Sequence, residues 1–161
     1  MELKHFYFLT DQYFLDFPDP FLMNNHETID GIRHDRPCFY AFQDPNTKLY
    51  WMIPLSSKVS KFQRVFQAKI ARNGRCDTIV FGYVLGQKKA FLIQNMCPID
   101  DSYIRNEYLD GSNNPVRITG NLERELESKA IKVLNLQRKG KRLIFPDVLL
   151  IEKKLLEKRG Q

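Results

Sequence analysis

Tyr50-Trp51-Met52-Ile53-Pro54-Leu55-Ser56-Ser57-Lys58-Val59-Ser60-Lys61-Phe62 runs from an apolar, aromatic strand into two hydroxyls and a lysine. From Lys58 to about Arg72 the period changes to that of a helix. Val59, Phe62, Phe66 and Ile70 share one side, and Lys58, Lys61, Lys69 and Arg72 fall on an adjoining one. Ser56 or Ser57 is placed to cap this helix and Gly74 to end it. A helix start has backbone N–H groups without partners and a positive dipole end, so hydroxyls and an amine there form a natural seat for a phosphate.

Working outward, residues 3–9 read as an aromatic strand, followed by a short Tyr13–Phe17 element. The polar stretch Asn24–Asp35 reads as a long connection, of the kind that tends to be functional. Pro37–Phe42 and Lys48–Ile53 are strands joined by a turn at Asp44-Pro45-Asn46-Thr47, and Asp77–Val84 and Ala90–Met96 are strands around Leu85-Gly86-Gln87-Lys88. Val116–Thr119 reads as a short strand. Helices are expected over Leu122–Gln137 and Asp147–Lys158, the second opened by Pro146 and Asp147. Strands with one inserted helix, then helices, predict an α+β domain with a mostly antiparallel sheet. Nothing divides the 161 residues, so one domain is expected.

Charge is uneven along the chain. Residues 1–57 carry 4 basic and 8 acidic side chains, and residues 58–161 carry 21 basic and 11 acidic. Between 58 and 98, eight Lys or Arg face Asp77 alone. Such a field is the usual footprint of a polyanionic partner. Cys38, Cys76 and Cys97 are odd in number, widely spaced and within apolar runs, which predicts buried thiols in a reducing compartment. No apolar run of about 18 residues is present and the first residues lack a cleavage-site pattern, so a cytoplasmic protein with no membrane contact is expected.

Other chemistries lack their residues. Asp16…Asp19 and Asp100-Asp101 have no third ligand at a metal-site spacing, so no metal is expected. The glycines near Phe81 lack the Gly-Lys-Ser/Thr of a nucleotide loop. No cofactor is implied.

Six ordered blocks resemble one family: Phe6-Tyr7-Phe8-Leu9…Tyr13, His34-x-Arg36-Pro37-Cys38-Phe39-Tyr40, the Tyr50–Lys58 stretch, Phe81-Gly82-Tyr83-Val84-Leu85-Gly86, Ala90–Met96 and Leu143–Leu150. They are similar to the endoribonuclease toxins of type III toxin–antitoxin systems, the ToxN and AbiQ family, in its CptN-like branch. The resemblance implies a compact, antiparallel, β-barrel-like core with helices around it, like the Kid and MazF toxins. It implies metal-independent cleavage of adenine-rich cellular mRNA. It also implies a small pseudoknot RNA antitoxin, cut from a repeated precursor, that holds the toxin inactive in a closed multi-subunit complex. Growth arrest on phage attack would be the outcome.

By the same resemblance, Tyr13, Ser56, Ser57 and Lys58 are the expected catalytic residues. Family members of the ToxN type carry Thr-Ser-Pro-Lys-Lys where this chain has Ser-Ser-Lys, so Lys58 and Lys61 both answer to the lysine. They also place a lysine before the second strand, where this chain offers His34 and Arg36. Arg36 is favoured for phosphate, with His34 as a proton carrier. The cationic face of Lys61, Arg64, Lys69 and Arg72, the turn lysines Lys88 and Lys89, and Lys129, Lys132, Arg138, Lys139, Lys141 and Arg142 of the last helices are the expected RNA-binding groups. The alternative is a non-catalytic RNA-binding regulatory module.

Overall fold

The computed structural model describes residues 1–160. In order, these form β1 (Phe6–Leu9), α1 (Asp11–Asp16), β2 (His26–Ile29), β3 (Ile32–Asp35), β4 (Cys38–Gln43), β5 (Tyr50–Ser56) and α2 (Val59–Asn73). Then come β6 (Ile79–Val84), β7 (Gln87–Leu92), β8 (Cys97–Ile99), β9 (Ile104–Glu107), α3 (Gly120–Arg138) and α4 (Val148–Arg159).

The sheet is organised around β5, which is buried along nearly its whole length. One edge pairs antiparallel with β4, Cys38 opposite Pro54 and Gln43 opposite Tyr50. The other edge is divided. Tyr50, Trp51 and Met52 pair with β8, whereas Leu55 and Ser56 pair with β7. Pro54, which has no N–H to give to a ladder, stands at the changeover. The full order is β6-β7-β5-β4-β1-β9, and all pairings are antiparallel. The observed class is thus α+β with an antiparallel sheet and four helices. Among the described residues β6 and β9 do not pair, so the sheet is open and the barrel-like closure is not formed by hydrogen bonds.

Alternate residues of the central strands fill opposite sides. Phe6, Phe39, Ala41, Trp51 and Phe91 pack with Leu126, Ala130 and Val133 of α3. Tyr7, Cys38, Tyr40 and Met52 pack with Tyr13 of α1 and with Ile151 and Leu155 of α4. Burial on both faces is why these strands read as unbroken apolar runs. A smaller cluster under α2 joins Phe62 to Ile79, Ala90 and Leu92. All three cysteines are buried and unpaired. No helix is long and apolar enough to cross a membrane.

Several expectations shift. Asn24–Asp35 is not a plain connection but contains the β2–β3 hairpin. Val116–Thr119 is not a strand. Pro115 makes an isolated bridge to Leu109, Val116 is buried, and Thr119 caps α3 by accepting from the Leu122 N–H. The serines do not cap α2. Lys58 holds the cap position, with no side-chain cap hydrogen bond. Gly74 ends that helix as expected, in the left-handed region at φ +77°.

Arg138 is also reassigned. Its guanidinium forks onto Glu152 at 2.7 and 2.8 Å and reaches Asp44 at 2.9 Å, joining α3 to α4 and to the β4–β5 turn. Two buried carboxylates occupy it, so it is a structural clamp and not a free RNA contact. Replacing Arg138 with Met should lower stability by about 1–3 kcal/mol, because those carboxylates lose their donors. Urea unfolding at neutral pH measures this, and no change would show the clamp to be idle.

Candidate functional site

The β2–β3 hairpin turns at Asp30-Gly31, with φ of +50° and +78°. Two left-handed residues make the tight turn for which Asp-Gly is a preferred pair. The hairpin forms its own two-stranded sheet, and side chains tie it down. His26 meets Asp35 at 2.8 Å through Nδ1 and Asp11 at 2.9 Å through Nε2. Arg105 donates to Asp35 at 2.8 Å, and Asn25 donates to the Leu9 carbonyl at 3.0 Å. So anchored, the hairpin covers the junction of β5 with α2.

Its contribution there is Glu27, a residue the sequence reading passed over. The carboxylate accepts from the Ser56 hydroxyl at 3.1 Å, from the Ser57 N–H at 3.2 Å and from Arg36 Nη1 at 3.3 Å. Burial acts to raise its pKa. The Arg36 guanidinium and the Ser57 and Ser56 donors outweigh burial and hold the carboxyl below the usual glutamate range. Arg36 is itself buried and also donates to the carbonyls of Leu55 at 2.6 Å and Asn24 at 2.7 Å. Its fork is committed inside the protein, so it positions Glu27 and does not face a phosphate.

The two serines differ in their partners. Ser56 is 1% exposed; it donates to Glu27 and accepts the Lys58 N–H at 3.1 Å. Ser57 Oγ accepts from Lys89 Nζ at 2.6 Å, and its hydroxyl also helps hold the Glu27 carboxylate ionised. Lys89 reaches it from β7, whose alternation sends Lys88 to the other face, over the Phe81 ring. Lys58 is exposed beside Ser57, and its ammonium makes no ion pair among the described residues. The amine in contact with the hydroxyl is therefore Lys89.

These groups open into a cleft of about 530 Å³. Glu27, His34, Asp35, Ser56, Ser57, Gln87 and Lys89 line its polar part, and Phe8, Val84 and Tyr108 are among its apolar walls. Phe8 and Tyr108 lie 5.1 Å apart between ring centroids, with Arg105 over the Phe8 ring. A polar floor carrying an amine, with half-exposed aromatic walls, suits a phosphate flanked by bases.

The remaining expected residues lie elsewhere. Tyr13 is fully buried, donates its hydroxyl to the Pro98 carbonyl at 2.7 Å, and packs against Phe14, Phe17 and Tyr103. Burial drives its pKa well above the ordinary phenol value. It belongs to the core and does not line the cleft, which corrects its expected place among the catalytic residues. Lys61, Arg64 and Arg72 are exposed along α2. Lys69 is half-buried, donates to Thr78 and Gln94, and has its pKa lowered by that burial. Lys129 pairs with Glu125 at 2.8 Å on α3. Glu27 alone was overlooked, and its only signal was Asp30-Gly31 between two four-residue segments. Lys89 was expected as an RNA-binding turn lysine, but its contact with Ser57 had no local signal, since 32 residues separate the two.

No family model matches the sequence, and no curated protein matches it. The fold does have a counterpart among solved structures. It is similar to AbiQ, described as a lactococcal anti-phage endoribonuclease of the type III toxin–antitoxin system, with a TM-score of 0.70 at 17% identity. The match covers 99% of this chain and all of that one, so the two share one architecture from end to end.

Proposed function

We propose that this chain is an RNA endonuclease toxin of a type III toxin–antitoxin system, in the CptN-like branch of the ToxN and AbiQ family. The observation that carries the reading is the Lys89 amine on the Ser57 hydroxyl at 2.6 Å, in an open cleft beside a helix start with no capping side chain. The shared architecture with AbiQ supports it.

In this reading the scissile phosphate of a single-stranded, adenine-rich RNA sits against Ser57, Lys89 and the first turn of α2. The 2′ oxygen gives up its proton and bonds to phosphorus. The bond to the 5′ oxygen breaks, that oxygen takes a proton, and the product is a 2′,3′-cyclic phosphate. Ser57 and Lys89 hold charge on the phosphoryl oxygens. His34 carries the 2′ proton, and Lys58 stands beside Ser57 as a proton donor for the leaving oxygen. Glu27, Ser56 and Arg36 fix the turn that presents Ser57. No metal takes part. The partner is a small pseudoknot RNA, cut from its precursor and retained in a closed complex, and cellular mRNA is the substrate of the released toxin. Lys61, Arg64, Lys88 and Lys129 add to the cationic surface that meets these RNAs.

Ser57→Ala should slow RNA cleavage on the order of 10²–10³-fold with unchanged thermal unfolding. Cleavage should persist in EDTA and vanish when the nucleotide 5′ to the cut lacks its 2′-OH. Cutting of such a deoxy substrate would remove the mechanism, and RNA binding without any cutting would leave the regulatory module.

Glu27 ionises more readily folded than unfolded, so its stabilisation is complete above the ordinary glutamate value of about 4.3 and fades as pH falls through its lowered folded value. Glu27→Gln should therefore cost about 1–3 kcal/mol at pH 7 and progressively less on acidification. Denaturant melts across pH 7 to 3 read this directly. A pH-independent difference would mean that charge is not what Glu27 contributes.

A further inference from the structure

A second cleft, of about 650 Å³, lies at the C-terminal end of α2, between that helix, α3 and the segment leading to α4. Its only acid is Asp77, which is engaged by Arg75 at 3.0 Å and Lys132 at 2.9 Å. Arg72, Lys141 and Arg142 also line it and make no ion pair among the described residues. Three cations are thus left facing a concave surface without compensation.

An aromatic pair adjoins these cations. Phe145 lines the cleft, and its ring centroid lies 6.5 Å from that of Phe21, at 59°. Phe21 is 50% exposed and Phe145 37% exposed, so neither ring is used up in the core. The Arg142 guanidinium lies 6.0 Å from the Phe21 centroid. The backbone beneath is held in place. Asn95 donates to the Phe21 carbonyl at 2.9 Å, and the Phe145 N–H donates to the Gln94 carbonyl at 2.8 Å. Rigid exposed rings among unpaired cations are the elements of single-strand recognition, with stacking for a base and charge for its phosphates.

We propose that this cleft is a second RNA subsite, in which an unpaired base stacks on the Phe21–Phe145 pair while flanking phosphates lie against Arg72, Lys141 and Arg142. The proposal rests on reading the chain as an RNA-binding protein, but it does not need the first cleft to be catalytic. Spacing gives it a sharp consequence. From Val59, the first residue of α2, to Arg72 the helix advances about 20 Å at 1.5 Å per residue. A stacked strand rises about 3.4 Å per nucleotide, so the two subsites are about six nucleotides apart. The exposed Lys58 and Lys61 lie on the same side of α2 as Arg72, along the way between them.

The test uses the full chain carrying Ser57→Ala, so that RNA is bound and not consumed, with unstructured oligoribonucleotides of 4 to 14 nucleotides read by fluorescence anisotropy. Affinity should step upward once the RNA exceeds about six nucleotides. Phe21→Leu with Phe145→Leu should remove that step, a loss of about 5- to 100-fold for long RNA. Arg72→Gln with Arg142→Gln should lower the salt slope of long-RNA binding by about 1.4. A smooth rise of affinity with length, indifferent to both variant pairs, would overturn the subsite. So would equal binding of a polyglutamate peptide with no dependence on the phenylalanines, which would assign the cleft to an acidic protein. Cleavage by the unsubstituted chain is scored separately. Cutting of short RNA without the length step keeps the nuclease reading and rejects the subsite. The length step without cutting does the reverse.

Discussion

Everything else in this molecule follows from how β5 divides its hydrogen bonds. One edge runs alongside β4, while the other serves β8 over its first half and β7 over its last. A strand cannot serve two neighbours on one edge unless the sheet bends between them, and Pro54 marks the place where no ladder donor is available. The bend carries Ser56 and Ser57 to the end of β5 just where β7 presents Lys89. The divided edge therefore gathers the hydroxyl, the amine and the start of α2 into one place.

The polar groups at that junction form two layers. Glu27, Arg36 and Ser56 satisfy one another and the backbone below, in a region where an unpaired charge would be costly. Ser57 and Lys89 lie above them and line the cleft. The helix starts differ. Thr119 and Asp147 cap α3 and α4, and α2 has neither a capping side chain nor an acid in its first turn. The anion beside its electropositive end is Glu27, which accepts the Ser57 N–H, while Ser56 Oγ accepts the Lys58 N–H.

Where burial was regular, the sequence could be read directly. The strands β4, β5 and β6 and all three long helices follow from apolar runs or helical spacing, because one or both faces enter the core, whereas β7 begins at Gln87, inside the expected turn, and ends at Leu92, short of the expected Met96. The β2–β3 hairpin escaped notice for the opposite reason. Ile32 to Asp35 are all exposed, so no alternation betrays them, and only Asp30-Gly31 signals the turn. The cationic face of α2 and the Ser56-Ser57-Lys58 block were legible because they are local. The pairing of Ser57 with Lys89 was not, since it arises from strand register. Tyr13 shows the limit of carrying a role over by position: its place after the first strand survives, but its hydroxyl is turned toward Pro98 in the interior. Arg138 likewise looks free until Glu152 and Asp44 are seen around it.

The hairpin that supplies Glu27 and His34 stands apart from the main ladder, and two strands alone are only marginally stable in water. Its contacts with Asp11 and Arg105 lie near the surface, whereas Glu27 and Arg36 hold it from below, buried against Ser56 and the Leu55 carbonyl. The hairpin is thus joined to the body through the same carboxylate that holds the Ser56-Ser57 turn, so the seating of the one and the placement of the other are a single interaction.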